Sequence, residues 1–214
     1  MAGMKGLVKD TAIYGLSSIV GRFLNWCLVP LYTNVFTQGE YGVVTNIYAY
    51  VAVTLVILIY GLETGFFRFA NHEKYNDPDL VYTTGLTSLA VSSSAFFIAI
   101  LLFLHPIAGA LGCGSHPEFI WIMALTVAID AFTSLPFAYL RYQKRAWRFA
   151  LIKLLSIAIN IGMNLFFILL CPVIYRHHPA WIEWFYDPTW GVGYIFAANL
   201  ISCLLYTSPS PRDS

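Results

Sequence analysis

A guanidinium and two carboxylates stand where the sequence is otherwise oil. Arg22 lies inside the apolar run Thr11–Phe36, TAIYGLSSIVGRFLNWCLVPLYTNVF. At about 1.5 Å per helical residue it sits roughly 16 Å beyond Thr11, close to the midplane of a hydrocarbon core about 30 Å thick. An arginine at that depth is expensive and faces a bundle interior or a water-filled cavity. At about 100° per residue, Tyr14, Ser18, Arg22, Asn25 and Tyr32 share one arc, while Ile13, Leu16, Ile19, Val20, Phe23 and Leu24 form the other side. Asp130 lies about ten residues before the basic Arg141, so it is also roughly 15 Å deep. Thr126, Asp130, Thr133, Ser134 and Phe137 share its face, and Pro136 is expected to kink that helix. Two chemistries fit. Arg22 and Asp130 neutralise each other and lock two helices together, or they charge a polar cavity that meets a ligand or a coupling ion.

The remaining polar residues read more plainly. Glu63 and Arg68 fall near one end of a second apolar run, in YGLETGFFRF. Arg68 can snorkel to the interface, whereas Glu63, about a turn deeper, needs a salt bridge to Arg68 or to a neighbouring helix, or else a cavity. Asn160 and Asn164 are four apart on one helix face, the spacing of interhelical hydrogen bonding. Thr84, Ser88 and Ser92 repeat that spacing and suit close packing. His177-His178 has no third ligand at a recognisable spacing, so no metal is expected. The sequence contains no GxxxxGK[ST], GxSxG or HExxH, and it names no enzyme.

These residues must be held by helices in a bilayer. The chain is 58% hydrophobic and 11% charged, with a mean hydropathy of +0.67. Soluble domains carry about 25% charged residues, so this is a polytopic membrane protein. A net charge of +1 excludes a generally basic nucleic-acid binder. Cys27, Cys113, Cys171 and Cys203 are far apart and form no CxxC, so neither a zinc site nor a disulfide framework is suggested. The first apolar run is too long for a cleavable signal peptide and reads as a retained anchor.

Six apolar segments are expected to span, at about 11–36, 42–68, 80–104, 118–140, 149–174 and 190–205. Trp181, Trp184, Phe185, Tyr186 and Trp190 form an aromatic belt before the last. With the N-terminus in the cytoplasm, the inside positions collect Lys5, Lys9, Arg68, Lys74, Arg141, Lys144, Arg145, Arg148 and Lys153, and the outside loops hold only Arg176. That is the positive-inside pattern. From Cys203 the chain reads CLLYTSPSPRDS, which resembles translated adapter read-through. Residues 203–214 are therefore expected to be a non-native tail, with residues 1–202 forming a six-helix transmembrane lobe.

The opening YGLSSIVGRFLNWCLVPLYTNVFTQGEYGVVTNIYAY, followed by YGLETGFFRFA, resembles the start of bacterial polysaccharide-biosynthesis flippases. These belong to the superfamily that includes multidrug exporters of the MATE type and the lipid II flippase. The likeness covers about residues 10–202. It is carried by the G-R-F-L-N and Y-G-x-E-T-x-F-F-R-F elements; the later helices match in length, order and loop charge. It implies an all-α fold of two six-helix lobes around a central cavity, of which this chain holds the N-terminal one. It implies, too, a non-enzymatic carrier in the bacterial inner membrane. This carrier moves polyprenyl-pyrophosphate-linked oligosaccharide to the outer leaflet by alternating access, for O-antigen or other lipopolysaccharide and polysaccharide synthesis. Arg22 matches a position that meets the diphosphate, a task suited to a forked donor in low dielectric. Tyr14, Ser18 and Asn25 would line the same wall, and Asp130 and Glu63 would tune its charge or couple ions. The implied partners are the lipid-linked oligosaccharide, membrane lipid and the missing C-terminal lobe, with no cofactor, metal or nucleic acid. Without that lobe the chain is not expected to transport. The alternatives are a cation-coupled multidrug exporter of the same fold and a membrane-embedded glycan-assembly enzyme, though the outer loops are short for the latter.

Overall fold

The computed structural model describes residues 2–71 and 77–207. It is all-α, and its helices fall on the apolar segments. The first segment is two helices, α1 (Ala2–Trp26) and α2 (Val29–Val35), with Pro30 in the first turn of α2, where a missing N–H costs nothing. Tyr32 therefore sits on a separate helix from Tyr14 and Ser18. The second is α3 (Gln38–Ile59) and α4 (Leu62–Ala70), and the third α5 (Pro78–Leu102) followed by α6 (Leu104–Ala110). Next come α7 (Glu118–Tyr142) and α8 (Ala146–Leu165), which continues through a π-helical turn, Phe166–Leu170, into α9 (Cys171–His177). After the short α10 (Pro179–Ile182), α11 (Gly193–Thr207) closes the described chain. It runs past Cys203 to Thr207, and residues 208–214 of the expected tail lie outside the described residues.

Local chemistry sets several of these ends. Thr37 and Glu40 form a reciprocal cap at the start of α3, with the Thr37 amide donating to Glu40 Oε2 (2.9 Å) and the Glu40 amide to Thr37 Oγ1 (3.4 Å). Asp77 accepts from the amides of Asp79 and Leu80, both at 3.1 Å, just ahead of Pro78. The break between α3 and α4 falls on Tyr60 (φ 35°) and Gly61 (φ 74°), both left-handed. Before α11, Asp187 accepts from the Thr189 hydroxyl (2.7 Å) and amide (2.8 Å), which hold its carboxyl below the usual carboxylate range.

Among the described residues, four helical stretches are long and apolar enough to cross a membrane: Gln38–Ala70, Pro78–Leu102, Glu118–Tyr142 and Ala146–His177. Ala12–Gly21 and Gly193–Leu205 are shorter apolar pieces. The third of the four, α7, is buried over most of its length while little of the others is, so α7 is the hub. Side-chain pairs fix the directions. Tyr14 with Phe149 and Gly21 with Ile157 run α1 parallel to α8. Tyr82 with Tyr139 and Gly85 with Leu135 run α5 antiparallel to α7. Ser156 with Ser202 and Asn160 with Asn199 run α8 antiparallel to α11.

The buried apolar side chains gather at two levels along α7. One cluster holds Val44, Ile47, Phe119, Ile120, Met123 and Phe196. The other holds Phe66, Leu89, Leu135 and Ala138, ringed by Tyr82, Tyr139 and Tyr142. At the first level Gly193 is pressed so close to the rings of Trp190 and Phe119 that a Cβ there would stand 2.6 to 2.7 Å from their atoms.

Candidate substrate groove

Beside the first of these levels the interior turns polar. Tyr32, buried on α2, donates its hydroxyl to Asn164 Oδ1 at 2.9 Å. Asn164, only 1% exposed, donates back to the Asn160 carbonyl at 2.8 Å. Asn160 reaches Asn199 Oδ1 at 3.4 Å, and Asn199 Nδ2 donates to the Tyr48 hydroxyl at 3.3 Å. Four elements (α2, α3, α8 and α11) are thus joined by one line of amides and phenols. A turn along α8, Ser202 donates to the Ser156 carbonyl at 2.7 Å. Buried amides and hydroxyls must find partners or lose several kcal/mol each, by order of magnitude, in hydrocarbon; here most find one another.

This line borders an open groove of about 410 Å³ whose apolar walls include Leu28, Val44 and Ile157. Tyr32, Tyr48, Asn160 and Asn199 supply its polar lining, together with Tyr41, Thr45, Ser156 and Ser202. An apolar-walled hollow with a few convergent polar groups is the usual form of a small-ligand site. The donors and acceptors are neutral, and suit hydroxyl-rich or amide-bearing ligands.

The expected site residues scatter around this groove. Tyr14 lies edge-on to Phe149, with ring centres 5.1 Å apart at 78°, well along α8 from the groove residues. Ser18 is half-buried one turn further. The side chains of Arg22 and Asn25 lie outside the described residues, and so does the Arg22–Asp130 pairing. What the backbone gives is that Gly21, next to Arg22, packs against Ile157, and Ile157 lines the groove. Asp130 is half-buried and accepts at 2.9 Å from the Sγ of Cys203, the first residue of the expected non-native tail.

Glu63 is elsewhere. It pairs with Arg141 (Oε2 to Nη2, 2.6 Å), whose guanidinium also lies 5.6 Å from the centre of the Phe67 ring. Along α7, Arg141 is roughly 16 Å from Asp130, so these carboxylates do not share a site. Of the two salt bridges open to Glu63, the one to a neighbouring helix is what forms.

Sequence reasoning found Tyr32, Asn160 and Asn164 as polar positions, but missed Tyr48, Ser156, Asn199 and Ser202. Asn199, an amide within the apolar FAANLIS, was the available signal. Thr84, Ser88 and Ser92 line an exposed hollow on α5, where Tyr60 Oη and Ser88 Oγ bond at 2.6 Å. His178 stacks on Trp181, with ring centres 5.0 Å apart.

Among families of known proteins, a profile described as polysaccharide biosynthesis protein matches residues 34–175, well over half of the chain. The match takes in Tyr48, Glu63, Asp130, Asn160 and Asn164, and leaves α1 and α11 outside it. No curated protein and no solved structure matches.

Proposed function

This chain belongs to the polysaccharide biosynthesis protein family, and from that premise we propose that it is one lobe of a flippase for lipid-linked oligosaccharide. In this reading a polyprenyl-pyrophosphate-linked glycan passes from the cytoplasmic to the outer leaflet of the bacterial inner membrane without covalent change. The N-terminus lies in the cytoplasm, and a second lobe of the same protein completes the path by rocking against this one. The observation that carries the proposal is the Tyr32–Asn164–Asn160–Asn199–Tyr48 line beside a 410 Å³ groove. Neutral amides and phenols exchange hydrogen bonds with sugar hydroxyls at little cost, whereas a purely apolar bundle would reject a glycan. Arg22, one residue from the Gly21 seam, takes the diphosphate, and Asp130 sets the local charge.

The test uses the protein complete with its second lobe, in a strain whose glycan export depends on it. Arg22→Ala abolishes export while membrane insertion and expression persist, and Asn199→Leu reduces it. Export at the wild-type level in both variants refutes the reading.

The half-buried Asp130 within α7 also favours a second reading, a cation-coupled exporter of small molecules, because an intramembrane carboxylate is a natural ion site. Drug efflux driven by a sodium or proton gradient and lost in Asp130→Asn, with glycan export intact, would select that one.

A further inference from the structure

Helix α3 carries a row of exposed positions in strict heptad spacing. Gly39, Asn46 and Val53 recur every seven residues, Gly42, Ala49 and Val56 follow them three residues on, and all six are exposed. By this spacing one helix packs along another in a left-handed pair. The row lies on a different face of α3 from Val44 and Ile47, which enter the buried core, and from Tyr41, Thr45 and Tyr48, which line the groove. Asn46 decides what the row requires. At about 1.5 Å per residue it lies roughly 12 Å inside the span that begins at Gln38, too deep for so short a side chain to reach the interface. Among the described residues its amide has no hydrogen-bond partner. Its neighbour Thr45 turns its hydroxyl back on the Tyr41 and Gly42 carbonyls, at 3.2 and 3.0 Å, and is satisfied within its own helix. Asn46 is not, and against lipid tails its donors and acceptor would stay unmet, which is costly. Outward of it, a Cβ at Gly39 or Gly42 would meet nothing within 4 Å, so a second backbone can come close there.

We propose that this seam binds α3 of a second copy of the chain, in a parallel pair about a two-fold axis along the membrane normal. Hydrogen-bond complementarity selects the occupant. An amide is donor and acceptor at once, so it is its own complement. A helix of unrelated sequence would need a polar group placed at that depth, whereas copies inserted the same way round bring Asn46 to Asn46 by symmetry. One asparagine at such a seam position also fixes the register and the number of helices in the pair. The contact leaves the groove free and holds whether or not the chain moves a glycan.

The full chain, carrying Cys27→Ser because its other three cysteines are buried, is labelled with a fluorophore and reconstituted in liposomes over a series of protein-to-lipid ratios. Single-molecule photobleaching counts the copies, and cysteine variants are oxidised with copper phenanthroline. Val53→Cys, in the seam, crosslinks into dimers. Ala52→Cys, also exposed and at nearly the same depth but turned about 100° away, does not. Asn46→Leu weakens the dimer about tenfold, and Asn46→Gln, which keeps the amide, weakens it less. At high dilution the circular dichroism of Asn46→Leu matches that of the unsubstituted chain, which separates lost pairing from lost folding. The proposal is overturned if the chain stays monomeric at every ratio, which would leave the seam to a helix of a second lobe. It is overturned equally if Ala52→Cys crosslinks as well as Val53→Cys, or if Asn46→Leu pairs as tightly as the unsubstituted chain.

Discussion

The bond between Tyr32 and Asn164 joins α2 to α8 across a site from which water and lipid are nearly excluded, so its removal has a calculable cost. Tyr32→Phe keeps the ring and deletes only the donor at 2.9 Å, leaving Asn164 Oδ1 with less than it needs. A buried acceptor stripped of its partner costs about 1–3 kcal/mol. Interhelical bonds in membrane proteins come in lower, averaging about 0.6 and reaching about 1.7 kcal/mol, because the reference state finds other partners. Asn164 is 1% exposed and keeps its own bond to the Asn160 carbonyl, which places this case at the upper end, about 1–1.7 kcal/mol. Asn164→Leu should cost more than Tyr32→Phe, since it also strands the Tyr32 hydroxyl and frees Asn160. The double variant should cost less than the sum of the two. Reversible unfolding in mixed micelles, read by circular dichroism for all four proteins, gives the coupling energy directly. Coupling under about 0.3 kcal/mol would mean the two residues act independently, and the polar line would lose its role in holding the groove.

Three other outcomes rest on particular contacts. Gly193→Ala should destabilise by about 1–3 kcal/mol in the same assay, because its Cβ meets the stiff rings of Trp190 and Phe119 rather than a flexible chain end. Glu63→Gln should cost under about 1 kcal/mol, since both partners of its ion pair are about a third exposed and solvent screens them. The Asp187 carboxyl should titrate below an ordinary carboxylate in a carbon-detected NMR series, and Thr189→Ala should move it back up. Its depressed folded value means that its small contribution is present above the unfolded value and is lost as pH falls through the folded one.

The apolar runs of the sequence locate the helices because hydrocarbon length and backbone pairing leave a chain little other choice. What a linear reading does not supply is partnership. The sequence leaves Glu63 open between Arg68 and a neighbouring helix; five residues on a helix place Glu63 and Arg68 about 140° apart, and Arg141 from α7 makes the bond. Tyr48 reads as one more aromatic in IYAYVAV, and only the approach of Asn199 makes it polar machinery. The breaks at Cys27–Leu28 and Tyr60–Gly61 are hidden as well, since neither interrupts the hydrophobicity of its run. Lys144 sits in a backbone conformation that composition would assign to glycine.

The stop at Tyr60–Gly61 changes what the next nine residues can do. A helix that ends within an oily stretch leaves its final carbonyls seeking donors outside its own ladder. On either side the hydrogen-bonded rods are intact, so the direction of Leu62–Ala70 hangs on the torsions of two residues. Turning that short rod would leave both ladders whole and would act first on the single charge pair with Arg141 and the aromatic ring cluster beneath it.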